Sequence, residues 1–433
     1  MSGNFGFGPT NPDDPENANQ NNSGGPDFNE LFAQFANFGI NPQTLFAAGA
    51  GGSGAPLIAI ETLREISRRA LSTHPELPIG SIDLAKTDEA FNIANNWLDE
   101  ATLFPASTKT NLSAWSRRDW LDASLVGWQQ MLEPLAEGMA GALTEVLNQT
   151  AMAEAPELAG VTPIMRAFMG SLIATQLGQS VGQLATSVTG SNDVAIPLFK
   201  TAALESRLIP QNVDLWADGL DIPVDEVRIF LAVREAAAAR LFAHTPWLAQ
   251  YIRDAIAAYG RGIKIDINSI QEQAERAVDS GELDINNPES ISVAINAGLF
   301  KPEQSATQDA ALAKLEMIIA LIEGWIDHVT TKSVANRLPM LPALSETLRR
   351  RRATKSPTQQ LFTTLLGLEV SPRKMRECAT FWFEVSAELD ATGAKGRDEL
   401  WEDPAFLPTA QDLSDVKKFL SSTSVPDDLS GLI

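Results

Sequence analysis

The chain has 433 residues, 44% hydrophobic and 20% charged, a globular balance long enough for two or three ordinary domains or one large one. A formal net charge of −22 repels phosphate backbones and anionic lipid, so nucleic-acid and lipid-surface binding are disfavoured. Cys378 is the single cysteine, which excludes an intrachain disulfide and fits a reduced, cytoplasmic location.

Residues 1–55 form an Asn-, Gly-, Pro- and Asp-rich tail expected to be disordered. Its start lacks the basic and apolar regions of a secretory signal. Within it, Phe28, Leu31, Phe32 and Phe35 are spaced for a short amphipathic helix, and a Gly/Ala linker follows. Residues 56–433 are expected to form one helical domain or two closely packed halves. Helical apolar spacing marks 58–72, 84–103, 116–147, 163–188, 223–242 and 247–259, and then 309–329, 356–366 and 372–389. Nine Trp against two Tyr point to large buried anchors, and Cys378, in an apolar helical run, reads as a buried small hydrophobe. The best membrane candidate, 165–188, carries three glutamines. Its Gly178 and Gly182 are expected to let two soluble helices approach closely, and no integral membrane segment is expected. Strand signals are confined to Val194–Phe199 and Ile263–Ile267, so the expected fold class is mainly α with a minor β element.

The segment Arg207–Leu248 carries the chemistry. Pro223 suits the first turn of a helix, and Asp225 and Glu226 complement its positive end. Val227, Leu231, Arg234, Ala238 and Leu241 then share one stripe, so Arg234 interrupts an apolar face. A buried cation is costly unless paired, which demands a carboxylate partner or an outlet to solvent.

Several blocks in order resemble the actinobacterial zincin-like metallopeptidase family, whose members carry hydrolase or zinc-dependent metalloprotease labels. Some are labelled as associated with coenzyme F420 biosynthesis. The blocks are WLDEATLFP (97–105), SRRDWLDASL (116–125) and VDEVRIFLAVREAAAARLFAHTPWL (224–248), then EGWIDHV (323–329), LLGLEVSPRKMRECATFW (365–382) and RDELWEDPAFLPTAQDL (397–413). The resemblance implies a zincin-like helical scaffold in which an HExxH helix grips zinc with two histidines and supplies a glutamate as general base. The matching pentapeptide here is Arg234-Glu235-Ala236-Ala237-Ala238. Glu235 holds the general-base position, but Arg234 and Ala238 stand where the histidines would be. A guanidinium stays protonated and alanine has no donor, so zinc is expected of the family and its ligands are missing here.

Glu323 and Asp327, at the ExxxD spacing of gluzincins, are the candidate third ligand or ion-pair partners. The sharp expectation is that Arg234 replaces the metal as the cation of the site and pairs with one of them; an ordinary surface arginine is the bland alternative. His244 stands ten residues after Arg234, as in metzincins, but Leu241 replaces the glycine that motif needs. About 280° of helical rotation turns His244 away, and a helix-end cap fits it better. Arg349, Arg350, Arg351 and Arg352 form a basic cluster that fits either an acidic partner or a solvated, positive helix end. No GxSxG, GxGxxG or GxxxxGK[ST] motif occurs. The function expected from these residues is a catalytically inactive metallopeptidase homologue that binds a peptide or protein. The alternatives are an active zinc hydrolase using Glu235, Glu323 and His244 as unconventional ligands, or a structural or assembly protein with the tail as tether.

Overall fold

The structure is a computed structural model that describes residues 55–106, 113–154, 162–199, 206–264, 305–355, 357–366, 371–392 and 396–423. The helix expected over Phe28–Phe38 lies outside them, as does most of Ile263–Ile267. Among the described residues the helices are α1 (Ile60–Leu71), α2 (Ser81–Leu98), α3 (Arg117–Glu154), α4 (Thr162–Leu184), α5 (Pro210–Ala217) and α6 (Val224–His244). They continue as α7 (Leu248–Arg261), α8 (Ala306–Val334), α9 (Leu341–Lys355), α10 (Pro357–Leu366), α11 (Pro372–Thr392) and α12 (Val416–Thr423). The fold is mostly helical, as the periodicity predicts. The sequence reading passed over α5 and α12, which are eight residues each, too short for periodicity to register.

Helix α6 sits at the centre. All of its residues from Phe230 to Phe242 are buried, on every side. The run Ala236–Ala239 makes this possible, because methyl groups let neighbouring backbones approach where larger side chains would hold them off. Helices α2, α5 and α8 pack around it. Helix α8 begins with a capping box: the Ser305 hydroxyl accepts from Gln308 N at 3.3 Å and the Gln308 side chain accepts from Ser305 N at 3.0 Å. It packs on α6, α7 and α11. Trp120, Trp128, Trp325, Trp382 and Trp401 are fully buried anchors, and Cys378 is buried as expected.

On α4, a Cβ at Gly178 would stand 2.8 Å from Ile66 Cγ2, and one at Gly182 2.6 Å from Ala70 Cβ. The two glycines seat α4 against α1. No helix among the described residues is long and apolar enough to cross a membrane.

The β element is not where hydropathy places it. Val194–Phe199 forms no strand: Ala195 N donates to Asn192 O at 3.2 Å, and Ala195 takes a left-handed φ of 55°. Its apolar residues are buried in a turn, and burial alone makes a turn and a strand look alike in composition. The extended pairing runs instead through Leu208, which bridges Ala114 in parallel and Gly190 in antiparallel fashion. Leu208 N donates to Ser113 O and Ile209 N to Thr189 O, both at 2.9 Å. This minimal ribbon lies against α6 and presents Gly190–Asn192 to it.

Candidate functional site

Arg234 and Glu235 are consecutive on α6, so their side chains leave the helix about 100° apart. Arg234 faces α8. Its guanidinium donates to Glu323 at 3.2 Å and to Asp327 at 3.1 Å. Those two carboxylates stand one turn apart on one face of α8, the spacing that lets a planar guanidinium span both. Glu323 is nearly enclosed, with 11% side-chain exposure, whereas Asp327 retains 48%. Burial lowers the Arg234 pKa, and Asp327 and Asp193 raise it in return.

A second cation completes the cluster. Arg352, from the last turn of α9, donates to the same Glu323 oxygen that Arg234 uses and stands 3.9 Å from Asp193. Burial first, and then the Arg234 charge, push Arg352 down to about 9, with Asp193 opposing. It therefore still carries its charge at neutral pH. The basic cluster 349–352 is thus divided. Arg349 and Arg350 are exposed and pair with Glu346 at 2.5 and 2.7 Å. Arg351 lies over the Trp216 ring, 4.7 Å from its centre, and donates to Trp216 O at 2.8 Å. Only Arg352 turns into the site. The sequence marks Arg352 only as one of four candidate partner-binding arginines, not as a residue of the Arg234 site, and does not mark Asp193 at all. The available hint was that Arg352 lies four residues, one turn, beyond the buried Leu348.

Glu235 faces the ribbon. Its carboxylate accepts from the Ser191 hydroxyl, from Asn192 N at 3.0 and 2.9 Å, and from Asn192 Nδ2 at 2.7 Å. Gly190 is required for this approach: a Cβ there would stand 2.8 Å from the Glu235 carboxyl carbon and 2.9 Å from Arg207 O. Burial pushes Glu235 up to about 7, against the donors from Ser191 and Asn192 that favour the ionised form. The stability consequence has a definite sign. A carboxyl whose folded pKa lies above its unfolded value contributes most below the unfolded value and loses that contribution as pH rises through the folded one. Glu235→Gln, which keeps the acceptor oxygen, is therefore expected to gain on the wild type by up to about 3 kcal/mol between pH 4.5 and 7. Urea unfolding of both chains across that range measures the gap, and a gap independent of pH would show that Glu235 ionises normally.

Between Glu235 and the arginines lies a cavity of about 20 Å³, bordered by Asn192, Asp193, Ala238 and Glu323. It has room for about one water. Asn192 Oδ1, buried and without a hydrogen-bond partner among the described residues, supplies a polar contact for one.

His244 is elsewhere. Its Nδ1 is 2.8 Å from Arg240 O and its ring stacks on Phe104 with centroids 5.0 Å apart. That is the helix-end position its rotation predicts. His74 is exposed beside Thr73, and His328 meets Ser386 at 2.9 Å.

The residues present do not fit a zinc ion. Zinc needs three nitrogen, oxygen or sulfur donors around one point. Here a guanidinium and a methyl group occupy the two motif positions, and the remaining carboxylate is taken by two arginines. Among the described residues, no three His, Cys, Asp or Glu side chains gather as a metal-holding group.

The site is thus a helix bearing a buried glutamate, flanked by a short extended ribbon and facing a second helix with ExxxD carboxylates. The chain belongs to the zincin-like metallopeptidase family, whose model matches residues 60–420. Its fold is also similar to a solved structure from Chloroflexus aurantiacus described as "a putative hydrolase with a novel fold". The TM-score is 0.54 at 16% identity, covering 84% of this chain and 98% of the other. At that identity the likeness concerns fold alone. None of the curated proteins matches the sequence.

Proposed function

We propose that this protein is a non-catalytic member of its family that works by binding a peptide or protein beside the position where relatives with HExxH would hold zinc. One observation carries the reading: Glu323 is held at once by Arg234 and Arg352. Two guanidinium groups bring the same double positive charge as a divalent ion, but they have no vacant coordination position at which water could be activated. Glu235, the motif's general base, has its oxygens engaged by Ser191 and Asn192 and ties the ribbon to α6 instead.

A second reading has one observation in its favour. A carboxyl pushed up to about 7 is suited to general-base work at neutral pH, and the structural relative is described as "a putative hydrolase". That reading needs His244, Glu235 and Glu323 to converge on a metal. The contacts of His244 to Arg240 and Phe104 disfavour it.

Elemental analysis separates the two. After dialysis against zinc-containing buffer and gel filtration, the full chain is expected to carry well below one zinc per molecule and to leave unfolded casein intact. One zinc per chain, together with peptide cleavage abolished by a chelator, would overturn the non-catalytic reading.

A further inference from the structure

Where α8, α9 and the first turns of α11 meet, a pocket of about 80 Å³ opens beside Asp327. Gly324 brings the helices close enough to form it, since a Cβ there would stand 2.8 Å from Ala379 N. Its wall is largely apolar, from Leu348, Met375 and Ala379, and its rim carries Arg349 and Arg376. Most of the cations around the pocket are held by carboxylates. Arg234 and Arg352 balance Glu323 and Asp327 at the inner end, and Arg349 shares Glu346 with Arg350. Arg376 lines the pocket, is exposed, and has no carboxylate within ion-pairing distance among the described residues. It also sits in the second turn of α11, near the positive end of the helix dipole.

We propose that this pocket receives the C-terminal residue of a peptide, with its carboxylate on Arg376 and an aliphatic side chain against Leu348, Met375 and Ala379. The occupant follows from chemistry and size. An apolar wall directly beside the unpaired Arg376 guanidinium matches a carboxylate whose neighbouring carbon bears a hydrocarbon group, and in a peptide only the C-terminal residue has that arrangement. The volume is about half of the ~150 Å³ of an enclosed cavity that admits benzene, which favours a small aliphatic side chain such as leucine over an aromatic ring. The proposal deepens the binding reading above, and depends on it only for the peptide remaining intact.

The test is titration calorimetry on the full chain with N-acetyl-Gly-Gly-Ala-Leu as free acid, the same peptide as its C-terminal amide, and the free acid ending in Phe. The leucine acid is expected to bind at micromolar affinity, and the amide and the Phe peptide at least about tenfold more weakly. Arg376→Ala is expected to weaken the leucine acid at least about tenfold, with an unchanged melting temperature because the residue is exposed. Absence of binding, equal binding of acid and amide, or full affinity in Arg376→Ala would each overturn the proposal. Mass spectrometry of the recovered peptide distinguishes the two readings. Intact peptide agrees with both; release of leucine would leave the pocket standing and overturn the non-catalytic reading.

Discussion

Glu323→Ala is expected to lower the unfolding free energy by about 3–5 kcal/mol, the largest loss from any one side chain at the site. Among the described residues, Glu323 is the carboxylate to which both Arg234 and Arg352 donate hydrogen bonds. Without it, two guanidinium groups face each other inside the protein, and Arg352 already feels the Arg234 charge. Asp327→Ala removes a carboxylate from the same face of α8, but Asp327 is half in water. It should cost about 1 kcal/mol or less. The contrast between the two variants is the measurement: urea midpoints at unchanged m-value, with Asp327→Ala as the internal reference. Adding Arg234→Met and Arg352→Met to the Glu323→Ala chain should recover most of the loss, because a filled apolar cluster does as well as a buried ion network. A loss below about 1 kcal/mol for Glu323→Ala would mean the cluster is screened by water and contributes little.

The second large effect is a gain. Arg234→His with Ala238→His places two imidazoles one turn apart on α6, facing Glu323 of α8, which is a three-ligand set for zinc. Arg352 would still be bound to Glu323 in that double variant. Adding Arg352→Ala should free the carboxylate, remove a positive charge from beside the incoming ion, and tighten zinc binding by at least about 100-fold over the double variant. Competition against a zinc-responsive dye measures both affinities. Equal affinity in the double and triple variants would show that Arg352 does not govern the position. Failure of the folded triple variant to bind zinc would show that the two helix faces no longer meet at a metal's distance.

Much of the molecule is legible from residues alone. Nine of the longer helices follow from apolar spacing, and the close approach of another helix to α4 follows from Gly178 and Gly182 at a four-residue interval, though not that the helix is α1. The demand that Arg234 find a carboxylate follows from the cost of burying a charge on an apolar stripe, and its contacts to Glu323 and Asp327 meet that demand. What escaped the sequence escaped for physical reasons. The four consecutive arginines 349–352 look like one patch in one dimension, yet successive residues on a helix differ by about 100°. They reach three different environments, with Arg349 and Arg350 together on Glu346, and only Arg352 meets Glu323. The ribbon at Gly190, Leu208 and Ala114 contains so few paired residues that no alternation can build up. Val194–Phe199, apolar enough to resemble a strand, owes its composition to burial within a turn.

The sharing of Glu323 between arginines on two separate helices makes the site a one-way door under stepwise change. A histidine placed at 234 alone leaves Arg352 holding the carboxylate; one placed at 238 alone sits beside an intact guanidinium; removing Arg352 alone leaves no imidazole at all. Each first step gives up stability or gains nothing, so a lineage starting from this chain would have to cross several unrewarded intermediates before a metal could enter.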